Sequence, residues 1–268
     1  MAEFILYCDE GEKRGKKFSN FCGGLLVHSG KIEEINLRLN AVKKELFVND
    51  HELKGTRITP NYAEKYILFL KEVFAMMDEG LFKIRIMFTD NRHPTPRFTK
   101  DEQDLTYFKL YYQFIKHAFG FRYTPMHEKP ILLRIFLDQL PDQSERKNDF
   151  KVYLCNLLNT KIFTESSLKI ESQHISEICS KKHILAQSLD IVLHLIEFRL
   201  NQKHLVQADM NRRSNRSKGK IKVYNAMLKE IQLIYPNFNI GITTGKRDSA
   251  QNYWNDPYRH WIFESTTS

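Results

Sequence analysis

The sequence has few cysteines and no apolar stretch of the length that a membrane span needs. Its four cysteines, Cys8, Cys22, Cys155 and Cys179, form no CxxC pair, which argues against a zinc site or a redox motif, so we expect reduced thiols packed in the core. A transmembrane helix needs about 20 consecutive apolar residues. No N-terminal segment has the pattern of a secretory signal. We therefore expect a soluble, cytoplasmic protein.

Acidic residues are outnumbered by basic ones. The chain has 41 Lys and Arg against 32 Asp and Glu, for a formal net charge of +9. A basic surface favours polyanionic partners, of which nucleic acid is the first candidate; an acidic protein or a membrane surface remains an alternative. With 268 residues, 42% of them hydrophobic, the chain is long enough for one large domain or two small ones with a real core.

Strand and helix patterns alternate along most of the chain. Two apolar runs, at 3–8 and from Phe21 to Val27, flank the basic loop GEKRGKK and predict a hairpin. After the hairpin, segments whose apolar residues have helical spacing alternate with strand-like apolar runs. Helices are predicted near 31–47, 60–78, 100–121, 144–162 and 183–201, and strands near 81–90, 130–139 and 168–175. The alternation predicts an α/β fold with a sheet of mixed direction.

The last quarter of the chain has a different composition. The run NRRSNRSKGKIK at 211–222 contains no acid, and a short amphipathic helix is predicted after it, near 223–235. The chain then ends on an aromatic, turn-rich stretch that includes NYWNDPYRHWIF. We therefore divide the chain into a domain at 1–201 and an extension at 202–268 that packs on it.

Four acidic residues occupy places where a carboxylate is costly unless it is paired or bound to a cation. They are Asp9 at the end of the first strand, Glu52 in NDHELKGT, Asp138 at the end of ILLRIFLDQ, and Asp190 within AQSLDIVLHLI. Carboxylates that end neighbouring strands lie about 5 Å apart. A divalent cation relieves their repulsion, and two such ions about 4 Å apart activate water in phosphodiester hydrolysis.

Each acid also has a structural interpretation. Asp9 and Asp138 have the positions of turn or cap residues, and Glu52 could form a surface ion pair with Lys54. Asp190 is the polar member of a buried helix face, where a hydrogen-bonded core Asp is as good an explanation as a functional one.

The order of four short motifs resembles a known family. YCDEGEK, HELKG, the strand IFLDQ and the helix ILAQSLDIVL are similar to elements of the domain of unknown function 3800 family, whose members look like RNase H-fold nucleases. The similarity spans about residues 3–200. It implies an RNase H-like mixed sheet flanked by helices in the domain 1–201, and an Mg²⁺ or Mn²⁺ site. By position, the metal-binding acids would be Asp9, Glu52, Asp138 and Asp190, with Lys54 near the scissile phosphate and Gln187 orienting the last helix.

The family pattern usually has a Ser or Ala and then a Gly after the second acid of its opening motif. Here Gly11 follows Glu10 directly. This departure concerns the expected conformation of the loop and not the expected position of Asp9.

Clustered cations predict contacts with a nucleic-acid backbone, although a solvated loop is the alternative. The residues are Lys13, Arg14, Lys16 and Lys17 in the hairpin, and Arg212, Arg213, Arg216, Lys218, Lys220 and Lys222 in the extension. The aromatic residues Tyr253, Trp254, Tyr258 and Trp261 could stack on bases or dock on the core.

Together these features predict a divalent-metal-dependent nuclease that acts on DNA or RNA, with no membrane partner. The resemblance suggests a setting in microbial defence or mobile-element biology. One alternative is a catalytically inactive module that binds nucleic acid or protein, and another is an enzyme that acts on a different phosphate ester. The oligomeric state is left open, with a homodimer as one option.

Overall fold

The computed structural model describes residues 2–47, 51–92, 100–124, 131–138, 144–160, 168–205, 215–245 and 248–264. The strands are β1 (Ala2–Glu10), β2 (Phe18–His28), β3 (Phe82–Asp90), β4 (Ile131–Leu137), β5 (Leu168–Lys169), β6 (Ile175–Glu177) and β7 (Tyr258–Phe263). The helices are α1 (Ile32–Leu46), α2 (Ala63–Asp78), α3 (Lys100–Ala118), α4 (Ser144–Cys155), α5 (Ile184–Leu200), α6 (Asn215–Ile234) and α7 (Asn252–Asn255).

The seven strands form one mixed sheet in the order β5-β4-β1-β2-β3-β7, with β6 also paired to β4. Strand β2 is antiparallel to β1 and to β3, while β4 is parallel to β1 and β7 is parallel to β3. Helices cover both faces, so the central strands are apolar on both sides. This arrangement confirms the predicted fold class, an α/β fold with a mixed sheet flanked by helices.

Side chains alternate between the two faces along each strand. On β1, Ile5 and Tyr7 pack in the core formed with α1, α2, α5 and α6. Leu6 and Cys8 pack in the core formed with α3 and α4. Asp9 follows the alternation of Ile5 and Tyr7, and therefore lies on the face that carries α5.

Some local predictions are wrong. The strand predicted at 168–175 consists of two short strands separated by a 3₁₀ turn, and α2 begins at Ala63 because the preceding residues form a turn. Helix α6 begins at Asn215, inside the basic run, and the aromatic C-terminal stretch supplies the edge strand β7.

The four cysteines are free, as expected, but they do not all pack in the core. Cys8 and Cys22 are buried, whereas Cys179 is exposed because it precedes a surface 3₁₀ turn. None of the helices in the described ranges has the length and hydropathy that crossing a bilayer requires.

Candidate active site

Asp9 and Asp138 lie side by side where two parallel strands reach the same edge of the sheet. Cys8 of β1 is the register partner of Leu137 of β4, and the N–H of Asp138 donates to the carbonyl of Cys8 at 3.2 Å. The next residue on each strand is an aspartate. Both carboxylates are half-buried, and by strand alternation both lie on the α5 face. The neighbouring arrangement expected from the sequence is therefore present.

Asp190 reaches the same region from α5, which packs on β1 and β2. Its Oδ2 accepts a hydrogen bond from the N–H of Gly55 at 2.7 Å. A Cβ atom on Gly55 would stand 2.4 Å from the Cβ of His194. Only glycine therefore lets this loop approach α5 closely enough to hold the Asp190 carboxylate.

Glu52 is held by the loop that contains Gly55. Its side chain is buried, and Oε1 accepts from the Ser180 hydroxyl at 2.7 Å and lies 3.3 Å from Nζ of Lys54. Burial raises the pKa of Glu52, but the Ser180 hydrogen bond and the Lys54 charge outweigh it, so the pKa lies below its usual value. This carboxylate is therefore ionised at neutral pH.

Gln187 connects three segments around Glu52. Its Oε1 accepts from the N–H of Leu53 at 3.0 Å, and its Nε2 donates to the carbonyls of Ser180 and Lys181. The side chain is buried with both its donor and acceptor groups used. It fixes the loop and the start of α5 relative to each other.

The acids interact electrostatically. Burial raises the pKa of Asp9 well above its usual value, and the charges of Asp190 and Asp138 raise it further. Burial also raises the pKa of Asp190, with added contributions from Glu52 and Asp138. A hydrogen bond from the backbone and the charge of Lys54 act in the opposite direction. Carboxyl groups from four parts of the sequence thus occupy one region, where a cation would favour the ionised forms of Asp9 and Asp190.

The donor set suits a hard divalent cation, since carboxylate oxygens are the preferred ligands of Mg²⁺. In the described part of the chain, however, no three His, Cys, Asp or Glu side chains already stand close enough together to hold one ion. The mutual repulsion of the carboxylates is a physical reason for them to stand apart without a cation. The residues fit the chemistry of such a site, and side-chain movement would be needed to close it.

A line of polar residues runs along one face of α5, in which most other residues are apolar. His183, Gln187, Asp190, His194, Glu197 and Asn201 follow at intervals of 4, 3, 4, 3 and 4 residues, which places them on one helix face. Sequence reasoning used only Gln187 and Asp190. The heptad spacing of polar residues within an apolar helix is the signal that would have identified the others.

Glu197 and Asn201 attach the basic hairpin loop to α5. Glu197 accepts from the N–H of Glu12 at 2.9 Å and pairs with Lys203 at 2.6 Å. Asn201 Oδ1 accepts from the N–H groups of Lys17 and Phe18, at 3.0 and 2.9 Å. The loop is therefore positioned beside Asp9 by the helix that carries Asp190.

The same contacts explain why a glycine follows Glu10 in this chain. A Cβ on Gly11 would stand 2.6 Å from Oε2 of Glu197 and 2.9 Å from Cβ of Phe21. A Ser or Ala at this position would push the loop away from α5. Glycine here is thus a steric requirement of this chain.

The predicted nucleic-acid contacts fall into two groups around the acids. Lys13, Arg14, Lys16 and Lys17 are all exposed on the hairpin loop. On α6, Arg216 and Lys218 are exposed, Lys222 pairs with Glu64, and Lys220 donates to Nε2 of His194 at 2.7 Å. Arg212 and Arg213 lie outside the described residues. The two groups come from the loop after β1 and from α6, which packs on the same face of the sheet as α5.

The sequence left open whether the aromatic residues of the C-terminal stretch dock on the core or stack on bases. The four residues differ in burial. Trp254 and Tyr258 are buried and dock on the core. Tyr253 and Trp261 are half-buried. They line a cavity on the other side of the sheet, where the ring of Tyr253 contacts Tyr123 and Arg259.

No family model and no curated protein matches the chain. Solved structures similar to it include the ribonuclease H2 from Pyrococcus horikoshii OT3, with 14% sequence identity, coverage of 88% of this chain and 90% of that chain, and a TM-score of 0.41. Another is a chain of the PCNA:RNase HII complex from Archaeoglobus fulgidus, with 8% identity, coverage of 88% and 92%, and a TM-score of 0.40. The strand order of the sheet, not these similarities, carries the fold class.

Proposed function

We propose that the protein is a divalent-metal-dependent nuclease that hydrolyses phosphodiester bonds of DNA or RNA, and that it belongs to the domain of unknown function 3800 family. The observation that carries the proposal is the convergence of four carboxylates from distant parts of the sequence. Asp9 and Asp138 end adjacent parallel strands, Asp190 projects from the helix over them, and Glu52 is held by a loop bonded to that helix.

In this proposal the four acids hold Mg²⁺ or Mn²⁺, which would supply an activated water and charge neutralisation at the scissile phosphate. Lys54 sits against Glu52 at 3.3 Å, in a position to contact a phosphate oxygen once the carboxylate turns to the metal. The hairpin loop and the N-terminal part of α6 would hold the flanking backbone through Lys and Arg side chains. Gln187, Gly55, Glu197 and Asn201 keep these elements in place.

The test is cleavage of labelled single- and double-stranded DNA and RNA with Mg²⁺, Mn²⁺ or EDTA. We expect metal-dependent cutting that falls by at least about 100-fold in Asp9→Asn and in Asp138→Asn, because each change removes a charged ligand. Asp78→Asn, an exposed acid at the end of α2, is the matched control and should cut like the wild type. Cutting that survives both site variants, or that persists in EDTA, would refute the assignment.

The second candidate is a nucleic-acid-binding module without catalysis. It is favoured by the exposed cations of the hairpin loop, Lys13, Arg14, Lys16 and Lys17, which need no metal to contact a phosphate backbone. This candidate predicts binding of a polynucleotide that weakens steeply with salt and is unchanged by EDTA, with no cleavage of any substrate. Filter-binding or anisotropy titrations at several salt concentrations distinguish it from the nuclease.

A further inference from the structure

Lys220 of α6 lies against the polar face of α5. Its Nζ donates to Nε2 of His194 at 2.7 Å and stands 5.5 Å from the centroid of the Phe198 ring. His194 follows Asp190 by one helical turn, which is a rise of about 6 Å along the helix axis. Glu197, which binds the hairpin loop, comes next on the same face. The ammonium group is therefore held on the stretch of α5 between the acids and that loop.

His194 is itself fixed by the loop that carries Glu52. A Cβ on Gly55 would stand 2.4 Å from the Cβ of His194 and 2.7 Å from its Cδ2, so the ring lies directly against the Gly55 backbone. The N–H of the same glycine donates to Asp190. Burial lowers the pKa of His194 to about 3, so the ring is neutral at neutral pH and its Nε2 can accept from an ammonium group. His194 therefore sets the position of Lys220 relative to Asp190.

Helix α6 packs closely on its surroundings near Lys220. It contacts α5 and α2, and a Cβ on Gly219 would stand 2.5 Å from the backbone carbonyl carbon of Thr59 and 2.7 Å from the nitrogen of Pro60. The helix thus touches the chain just beyond the loop that holds Asp190. Lys220 is presented by a packed helix, unlike the cations that are exposed on the hairpin loop.

The charge of Lys220 has no carboxylate partner. Within the described ranges, the neutral ring of His194 is the hydrogen-bond partner of Nζ, and no Asp or Glu oxygen lies at salt-bridge distance from it. Burial lowers the pKa of Lys220, and the charges of Lys203 and Arg216 lower it further, against the opposing effect of nearby acids. An ammonium group has three N–H donors, so donors remain for an anion. An anion would also offset the cost of burying this charge.

Arg216 adds a second cation on the same side of α6. It precedes Lys220 by one helical turn, and its side chain is exposed. The other cations of this part of the helix are placed differently. Lys222 pairs with Glu64, and Lys218 lies two residues from Lys220, which turns it to another side of the helix.

We propose that Lys220, positioned by His194, binds a backbone phosphate of the nucleic-acid strand about one helical turn from the carboxylates, with Arg216 as the second cation of this phosphate site. The inference rests on the proposed nucleic-acid substrate. Phosphate oxygens accept charge-assisted hydrogen bonds from an ammonium group. Because Lys220 is fixed relative to Asp190, it sets which part of the strand reaches the acids, and His194 is the positioning residue.

The test is the binding of fluorescein-labelled single- and double-stranded DNA and RNA oligonucleotides, followed by fluorescence anisotropy in EDTA at several salt concentrations. We expect Lys220→Met to weaken the affinity at least about fivefold and to reduce the slope of log affinity against log salt by about 1, as the loss of one phosphate contact predicts. Lys229→Met is the matched control, because Lys229 is an exposed lysine on the opposite side of α6. Its affinity should stay within twofold of the wild type.

The role of His194 is tested by rescue. His194→Gln keeps a side-chain acceptor and should bind within about threefold of the wild type, whereas His194→Leu should lose about as much affinity as Lys220→Met. The losses should not add in the double variant His194→Leu/Lys220→Met, because both changes act through one ammonium group. Additive losses, or equal losses in His194→Gln and His194→Leu, would overturn the positioning role. Thermal unfolding shows whether each variant is folded, and Lys220→Met keeps the test decisive if His194→Leu does not fold.

The outcome is separate from that of the nuclease proposal, because binding in EDTA needs no cleavage. Loss of affinity and of salt slope in Lys220→Met, in a protein that cuts no substrate, would support the phosphate site and refute the nuclease. Metal-dependent cutting together with unchanged binding by Lys220→Met would leave the nuclease standing and overturn this inference. Equal losses in Lys220→Met and Lys229→Met, or no binding of any oligonucleotide by the wild type, would overturn it as well.

Discussion

Each face of the sheet buries a group of side chains with the same charge: carboxylates on the α5 face and guanidinium groups on the α3 face. The two groups differ in how fully they are hydrogen-bonded. On the α5 face, burial and the charge of Asp138 raise the pKa of both Asp9 and Asp190, and loop contacts use only part of their hydrogen-bonding capacity. On the α3 face, Arg85 and Arg259 repel each other, but backbone carbonyls accept from both guanidinium groups.

This difference separates carboxylates with unused hydrogen-bonding capacity from guanidinium groups that are built into the fold. The carbonyls that accept from Arg85 belong to the turn that leads into β7, so the guanidinium helps to attach that strand to β3. The acids make few contacts that hold elements together. We therefore expect removal of a guanidinium charge on the α3 face to destabilise the fold. Removal of a carboxylate charge on the α5 face should chiefly affect the proposed chemistry.

The largest expected effect on stability is that of Arg85→Met. The change leaves several buried carbonyls without donors, so we expect the free energy of unfolding to fall by about 3–5 kcal/mol. Urea denaturation followed by circular dichroism measures it.

Asp190→Asn is the corresponding change on the other face. It removes a repulsive charge while the amide oxygen can still accept from Gly55, so stability should be equal to or higher than that of the wild type. A large loss of stability in this variant, or no loss in Arg85→Met, would contradict the claim that the guanidinium groups stabilise the fold and the carboxylates do not.

A smaller effect is expected from Gly55→Ala. The new methyl group would overlap His194 and push the loop off α5, so we expect a loss of about 1–3 kcal/mol in stability and a fall of about tenfold in cleavage rate. Gly245→Ala is the control, since a Cβ there would meet nothing within 4 Å. Denaturation curves and initial rates are compared; equal behaviour of the two variants would contradict the close approach.

The smallest effect concerns His260 on β7, whose ring is buried between aromatic residues. Burial lowers its pKa to about 3, so the folded protein keeps it neutral while the unfolded chain takes up a proton below about pH 6.5. The unfolded state then binds more protons, and stability falls as the pH falls. From pH 7 to 5.5 this group should cost about 1 kcal/mol.

The measurement is the difference in unfolding free energy between wild type and His260→Gln at the two pH values. Other titrating groups cancel in this difference. An equal pH dependence in both proteins would show that His260 is not the group responsible.

The sequence predicted the hairpin, the alternation of strands and helices and the mixed sheet, because each depends on local periodicity and turn residues. It also selected Asp9 and Asp138, since an acid that ends an apolar strand is visible in the chain itself. It did not predict β7, because an edge strand of aromatic and basic residues lacks a distinctive pattern. Glu197 and Asn201 were missed because their partners, Glu12 and Phe18, are more than 180 residues away.

By itself the sequence determined which residues are apolar, where strands end and which acids would be costly to bury, since these follow from side-chain chemistry and spacing. The tertiary structure decided which of them meet. The parallel pairing of β1 and β4 places Asp9 beside Asp138, and the packing of α5 brings Asp190 and the hairpin loop to that edge. The pairing of β3 with β7 likewise brings together two arginines 174 residues apart. These contacts depend on long-range packing, which no local pattern encodes.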